Sequence, residues 1–187
     1  GSSGSGKSTL ATGILERVIE QGYQFCVIDP EGDYEGFAGA VMFGTSQRGP
    51  GMAEILTALD GANTNLIINL VGLSLQDRPD FFLALLPALQ ERRAKFGRPH
   101  WILIDETHHL MPRDWHPVQD VMAQDWTGIV YVTVHPDQIA KQVLHMVDVV
   151  AALGDDPAGT IARFCGTLDV PVPQMEPTAL NHGEAIF

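Results

Sequence analysis

The chain has 187 residues, 45% of them apolar and 18% charged, which is enough for one sizeable core and too few for two. No apolar run approaches the roughly 18 residues of a membrane span. A formal net charge of −12 argues against broad, sequence-independent contact with nucleic acid, so DNA binding by this chain alone is expected to be weak.

The first eight residues, Gly1-Ser2-Ser3-Gly4-Ser5-Gly6-Lys7-Ser8, fit the phosphate-loop pattern G-x-x-x-x-G-K-[ST] without a mismatch. In that pattern consecutive backbone N–H groups curl around nucleotide phosphates, and glycines permit the close approach. The expected nucleotide contacts are Gly1, Ser3, Gly4, Ser5, Gly6, Lys7, Ser8 and Thr9. Lys7 is placed to reach the β- and γ-phosphates, and the Ser8 hydroxyl to hold Mg²⁺. Leu10, Ala11, Ile14, Leu15, Val18 and Ile19 then recur at helical spacing until Gly22 stops the run. Such a loop normally follows a buried strand. None precedes Gly1, so the reading is a domain lacking its first strand, within a longer chain.

Strand and helix patterns alternate onward, which predicts crossover units and a mainly parallel sheet between two helical layers. Strands are expected at residues 23–29, 40–44, 65–71, 100–106, 128–135 and 147–153. Helices are expected at 52–59, 79–96, 114–124, 136–146 and 157–168. Pro87 predicts a kink or break in the longest of these. Residues 169–182 carry Pro171, Pro173 and Pro177 and read as extended loop, and the final residues 184–187 as a strand cut short. Cys26 and Cys165 sit in apolar contexts without metal-like spacing, as reduced buried thiols of a cytosolic protein.

The apolar run Trp101-Ile102-Leu103-Ile104 ends in Asp105-Glu106. Acids emerging from a two-side-buried strand are costly unless paired or metal-linked. Asp105 is therefore placed to serve Mg²⁺, and Glu106 to orient and deprotonate an attacking water. His108 and His109 are adjacent and cannot easily share one ion; His108 is read as a residue that orients the acid pair. Asp29, Glu31 and Asp33 cluster after the strand expected at 23–29; either Glu31 or Asp33 approaches the γ-phosphate or its water, with Glu31 the competing base, or the segment is a plain solvated turn, which Pro30 and Gly32 favour. The basic cluster Arg92, Arg93, Lys95 and Arg98 closes a helix, where cations offset the dipole.

Three segments carry a family resemblance: residues 1–9, Val27-Ile28-Asp29-Pro30-Glu31-Gly32-Asp33-Tyr34, and Ile104-Asp105-Glu106-Thr107-His108-His109-Leu110. Together they resemble the HerA/FtsK group of RecA-like ATPases, in order, through Val132-Thr133-Val134-His135-Pro136. The resemblance implies a RecA-like three-layer α/β/α fold, ATP and Mg²⁺ as ligands, ring-shaped homo-oligomers and often DNA translocation. It also implies a polar catalytic sensor at the end of the fifth strand pattern, commonly Gln, where this chain has His135. An arginine finger would come from a neighbouring subunit, with Arg48, Arg78, Arg113 and Arg163 as candidates. Similar domains resemble ATPase modules fused to haloacid-dehalogenase-type hydrolases. Two other functions fit the phosphate loop. One is a small-molecule kinase of the adenylylsulfate-kinase type, in which Asp29 would grip the acceptor. The other is a nucleotide-binding regulatory module that does not hydrolyse.

Overall fold

The computed structural model describes residues 6–61, 64–115, 127–175, 180–181 and 183–187. Helix α1 (Lys7–Glu20) leads into strand β1 (Phe25–Asp29), then β2 (Ala40–Phe43), α2 (Met52–Leu59), β3 (Asn65–Asn69), α3 (Asp77–Phe96) and β4 (Trp101–Ile104). Strand β5 (Ile129–Tyr131), the single-turn α4 (Lys141–Leu144), β6 (Ala152–Leu153), α5 (Pro157–Leu168) and β7 (Ala185–Ile186) follow. Strands β2-β3-β1-β4-β5 form one sheet in that order, and every pair is parallel.

The layering follows from the period-2 alternation of strand side chains. Phe25, Val27, Ile67 and Leu103 point to one face and pack on Ala11, Leu15 and Val18 of α1. Cys26, Ile28, Leu66, Ile68, Ile102 and Ile104 point to the other. There they meet Ile55 of α2, Phe82, Leu85, Leu86 and Leu89 of α3, and Val143 and Leu144 of α4. A sheet covered on both faces needs strands that are apolar throughout, which is why β1 and β4 read as continuous hydrophobic runs. The three-layer α/β/α expectation holds. Cys26 and Cys165 are buried and unpaired, and burial pushes the Cys26 thiol up to about 12.

Four expectations change. The strand expected at 147–153 is reduced to β6, which pairs antiparallel with β7 in a separate two-stranded sheet. Val149, 70% exposed, has no face to bury against. The helix expected at 136–146 is broken into a 3₁₀ turn (Pro136–Gln138) and α4, because Ile139 is drawn out into a bridge with Pro112. The strand expected at 128–135 ladders only over β5, since β4 offers just four residues. Helix α3 is not broken at Pro87, which lies on the exposed side, where water can serve the carbonyl that the missing N–H leaves free. Nearly all of the helix expected at 114–124 lies outside the described residues.

Beside the sheet, α1 and the β6–β7 ribbon border a groove of about 680 Å³, lined by Leu10, Ile14, Val18, Trp101 and Leu153 among others. No helix among the described residues is long and apolar enough to cross a membrane.

Ile104 is fully buried at the last position of β4, directly before the acid pair. Ile104→Ala should destabilise the fold by about 2–5 kcal/mol, the range for emptying a buried aliphatic site. Urea denaturation followed by circular dichroism measures this, and an unchanged midpoint would contradict the packing described.

Candidate active site

The carboxyl ends of β1 and β4 and the N-terminus of α1 meet at one edge of the sheet. Gly6 caps α1 at φ 91°, a left-handed conformation that a side chain would resist. The first N–H groups of α1 have no partner within the helix and face outward with the positive end of its dipole, a ready site for an anion. Gly1, Ser3, Gly4 and Ser5 lie outside the described residues. Thr9 is exposed, and Ser8 Oγ donates to Asp33 Oδ2 at 2.8 Å.

Asp29 terminates β1 and is 0% exposed. Its Oδ1 accepts N–H bonds from Gly32 at 2.7 Å and Asp33 at 3.1 Å, and its Oδ2 accepts one from Tyr34 at 3.1 Å. Burial raises its pKa, and those three amides counter the rise. Gly32, at φ 83°, lets the loop close over Asn69 and Val71. One buried carboxylate thus shapes the whole segment that carries Asp33 and Tyr34. The Tyr34 side chain is buried and its hydroxyl lies beside Asp105; burial first, then that neighbouring acid, pushes the phenol up.

Asp105 leaves β4 at 2% exposure, its N–H bonded to Ile28 O and its Oδ1 accepting the Glu106 N–H at 2.8 Å. Burial pushes its carboxyl up to about 7, with Glu106, Asp29 and Asp33 adding repulsion. Glu106 turns the chain at φ 38°, ψ 50°, an uncommon conformation for a residue with a side chain. Burial raises its pKa; Lys7 opposes this, and Glu31 and Asp33 reinforce it. Lys7, from the phosphate loop, and Glu106, from the fourth strand, therefore feel each other's charge in the folded chain.

His108 follows in a 3₁₀ turn (Thr107–His109), with Nδ1 3.1 Å from Thr133 Oγ1 and 3.3 Å from Glu106 Oε2. Burial, then the neighbouring His109 and His135, lowers the His108 pKa to about 4, so the ring is neutral. His135 is exposed, donates its backbone N–H to Thr133 Oγ1 at 3.0 Å, and stands edge-on to the His108 ring. The expected sensor position thus borders the acid pair through His108.

Among the described residues no trio of His, Cys, Asp or Glu is arranged as a metal cage. Mg²⁺ does not need one: it takes one or two protein oxygens and fills its octahedron with water and substrate phosphate. The Ser8 hydroxyl and the buried Asp105 carboxylate are hard oxygen donors of the kind it takes. Three of the four arginine candidates are engaged within the chain. Arg48 pairs with Glu54, Arg163 with Asp156, and Arg78 is buried against Leu73 O. The basic cluster is likewise structural in part, with Arg92 on Asp60 and Arg93 on the carbonyls of His100 and Thr127. Sequence reasoning missed Tyr34 and Thr133. Tyr34 closes the second of the resemblance segments and Thr133 lies two residues short of the expected sensor, but nothing local marked either as a contact of the acid pair.

Residues 1–96 match the family model described as "Helicase HerA, central domain". Among solved structures, the chain is similar to the genome packaging NTPase B204 from Sulfolobus turreted icosahedral virus 2. In the complex of that protein with ATP-gammaS, identity is 15% and the TM-score 0.58, over 90% of this chain and 80% of that one. In its complex with AMP, identity is 14% and the TM-score 0.61, over 92% and 85%. At such identities the likeness establishes the fold. No curated protein matches the chain.

The buried Asp105 makes stability depend on pH with a definite sign. Its folded pKa, about 7, lies above the ordinary aspartate value of 3.8, so between these values the folded state binds more protons than the unfolded state. Its contribution is therefore most favourable below about 3.8 and is progressively lost as pH rises to about 7. Asp105→Asn, which removes the charge and keeps an acceptor for the Glu106 N–H, should raise the thermal midpoint of the nucleotide-free protein at pH 8. The gain should shrink at pH 5. A gain that is the same at both values would mean that Asp105 is not held as a buried acid.

Proposed function

The chain belongs to the helicase HerA central-domain family, and we propose that it binds ATP with Mg²⁺ and hydrolyses it to drive a motor or conformational switch. Family and fold together support a nucleotide-binding, ATPase-type domain. The observation that carries the finer reading is that Lys7 stands within electrostatic reach of Glu106, and Ser8 bonds Asp33, whose charge acts on Asp105 and Glu106, at the carboxyl ends of a parallel sheet. Ligands of open α/β sheets bind at that edge.

In this reading the α1 N-terminus and Lys7 take the phosphates. Ser8 and Asp105 would hold Mg²⁺, which would supply neutralisation of phosphate charge. Glu106 orients a water and accepts its proton as the oxygen attacks the γ-phosphorus and ADP leaves. The raised pKa of Glu106 suits a base, because burial has already removed part of the water that would stabilise its charge. Glu31 is exposed and closer to solvent, and so is the weaker candidate for that role.

The kinase alternative needs Asp29 to grip an acceptor. Asp29 instead spends both oxygens on backbone amides at 0% exposure. The ring-shaped assembly and a genome- or DNA-moving role belong to the same proposal and are supported by analogy alone. The decisive measurement is phosphate release from ATP by the full-length protein, with and without DNA and with small-molecule acceptors. Release that needs no acceptor supports the hydrolase. Release absent under all conditions moves the reading to a nucleotide-binding regulatory module.

Two variants sharpen the assignment. Lys7→Ala should weaken ATP binding by about 1–3 kcal/mol, the worth of a charge-assisted hydrogen bond, as read by calorimetry. Glu106→Gln should slow turnover by roughly 10²- to 10⁴-fold while retaining ATP. Turnover at the parent rate in Glu106→Gln, combined with its loss in Glu31→Gln, would transfer the role to Glu31.

A further inference from the structure

We propose that Thr133 and His108 form a relay that positions the Glu106 carboxylate, so that the segment just beyond β5 governs where the base stands. The proposal rests on the reading of Glu106 as the group that handles the attacking water.

The His108 side chain is only 8% exposed, and its Nδ1 has two oxygen neighbours, Thr133 Oγ1 at 3.1 Å and Glu106 Oε2 at 3.3 Å. Thr133 Oγ1 already accepts the His135 N–H, and an ionised Glu106 carboxylate offers only lone pairs, so the relay assigns the ring proton to Nδ1 and the lone pair to Nε2. That one N–H is aligned on Thr133. Glu106 Oε2 lies within reach but off line, and although buried it has no hydrogen-bond partner among the described residues. A buried carboxylate oxygen is costly to leave in that state, so a small turn of the ring toward it is favourable.

The backbone ties make the ring sensitive to its surroundings. Thr107 N–H bonds Val132 O at 2.9 Å, and Thr107 Oγ1 donates to Ile104 O at 2.9 Å, which pins the turn carrying His108 between β4 and the end of β5. Thr133 comes next in the chain after Val132. Its hydroxyl oxygen also accepts the His135 N–H at 3.0 Å. A shift of residues 133–135 therefore changes the hold on Nδ1, and Nδ1 is the group that faces Glu106. The left-handed Glu106 backbone, φ 38°, aims the side chain back at this ring. A histidine metal cluster is the rival explanation for rings this close, with centroids 4.2 Å and 5.2 Å from His108 to His109 and His135, but the described residues show no metal-holding geometry.

The test uses the full-length protein and two independent readouts. Long-range ¹H–¹⁵N spectra of the histidine rings should show neutral His108 protonated at Nδ1, with that resonance shifted in both Thr133→Val and Glu106→Gln. Protonation at Nε2, or no shift in either variant, overturns the relay whether or not the protein turns over ATP. In kinetics, His108→Ala and Thr133→Val should each lower kcat by roughly 10- to 100-fold, as loss of an orienting partner does. Affinity for Mg²⁺ and ATP-gammaS should stay within about twofold. His108→Asn, whose amide N–H falls near the position of Nδ1, should recover most of the loss. An affinity loss that matches the kcat loss, or no rescue by Asn, overturns the proposal. If His108→Ala lowers the melting temperature enough to unfold, the nearly isosteric Thr133→Val carries the test. Failure of the underlying base assignment is separately visible: Glu106→Gln would then turn over at the parent rate, whatever the spectra of His108.

Discussion

The site depends on a carboxylate that never meets solvent. Asp29 sits at the end of a fully buried strand and accepts three backbone N–H groups, from Gly32, Asp33 and Tyr34. Desolvation alone would neutralise such a group, and the three aligned amides oppose that tendency. The loop that follows has little freedom left. Its Asp33 meets Ser8 at the start of α1, and its Tyr34 hydroxyl lies beside Asp105, just past β4. Asp29 is thus the joint between the two halves of the nucleotide site without being exposed enough to take part in chemistry.

The electrostatics are those of a site crowded with acids. Asp29, Asp33, Asp105 and Glu106 crowd together, and burial raises the pKa of three of them, Asp29, Asp105 and Glu106. Lys7 is the nearby positive charge that lowers Glu106 most. A divalent ion on oxygen donors would relieve the repulsion among the acids, and the α1 N-terminus would favour the phosphates that accompany it. The overall charge of −12 has a local counterpart in this cluster of acids.

Much of this was legible in the residue order. The G-x-x-x-x-G-K-S run, the helix after it and the apolar strand ending in Asp105-Glu106 each follow from local rules: glycine freedom, 3.6-residue periodicity, and the cost of burying acids. Two-side-buried strands announce themselves as unbroken apolar runs, so β1, β3 and β4 were plain. The parallel sheet followed from alternation with helices, and the family resemblance rested on the same segments.

Tertiary structure alone decided what depends on partners far apart in sequence. Residues 147–153 had the composition of a strand, yet a strand forms only where another backbone can pair with it, and only Ala152 and Leu153 found one, in β7. Residues 136–146 had helical spacing, yet the bridge from Ile139 to Pro112 broke the run. The contacts of Tyr34 with Asp105, of Ser8 with Asp33, and of His108 with Thr133 join residues 25 or more apart. A sequence can state which groups are suited to such contacts, because that is a matter of residue type and local backbone. It cannot state which of them will touch, because that is settled by how the sheet register and the layers bring strand ends together.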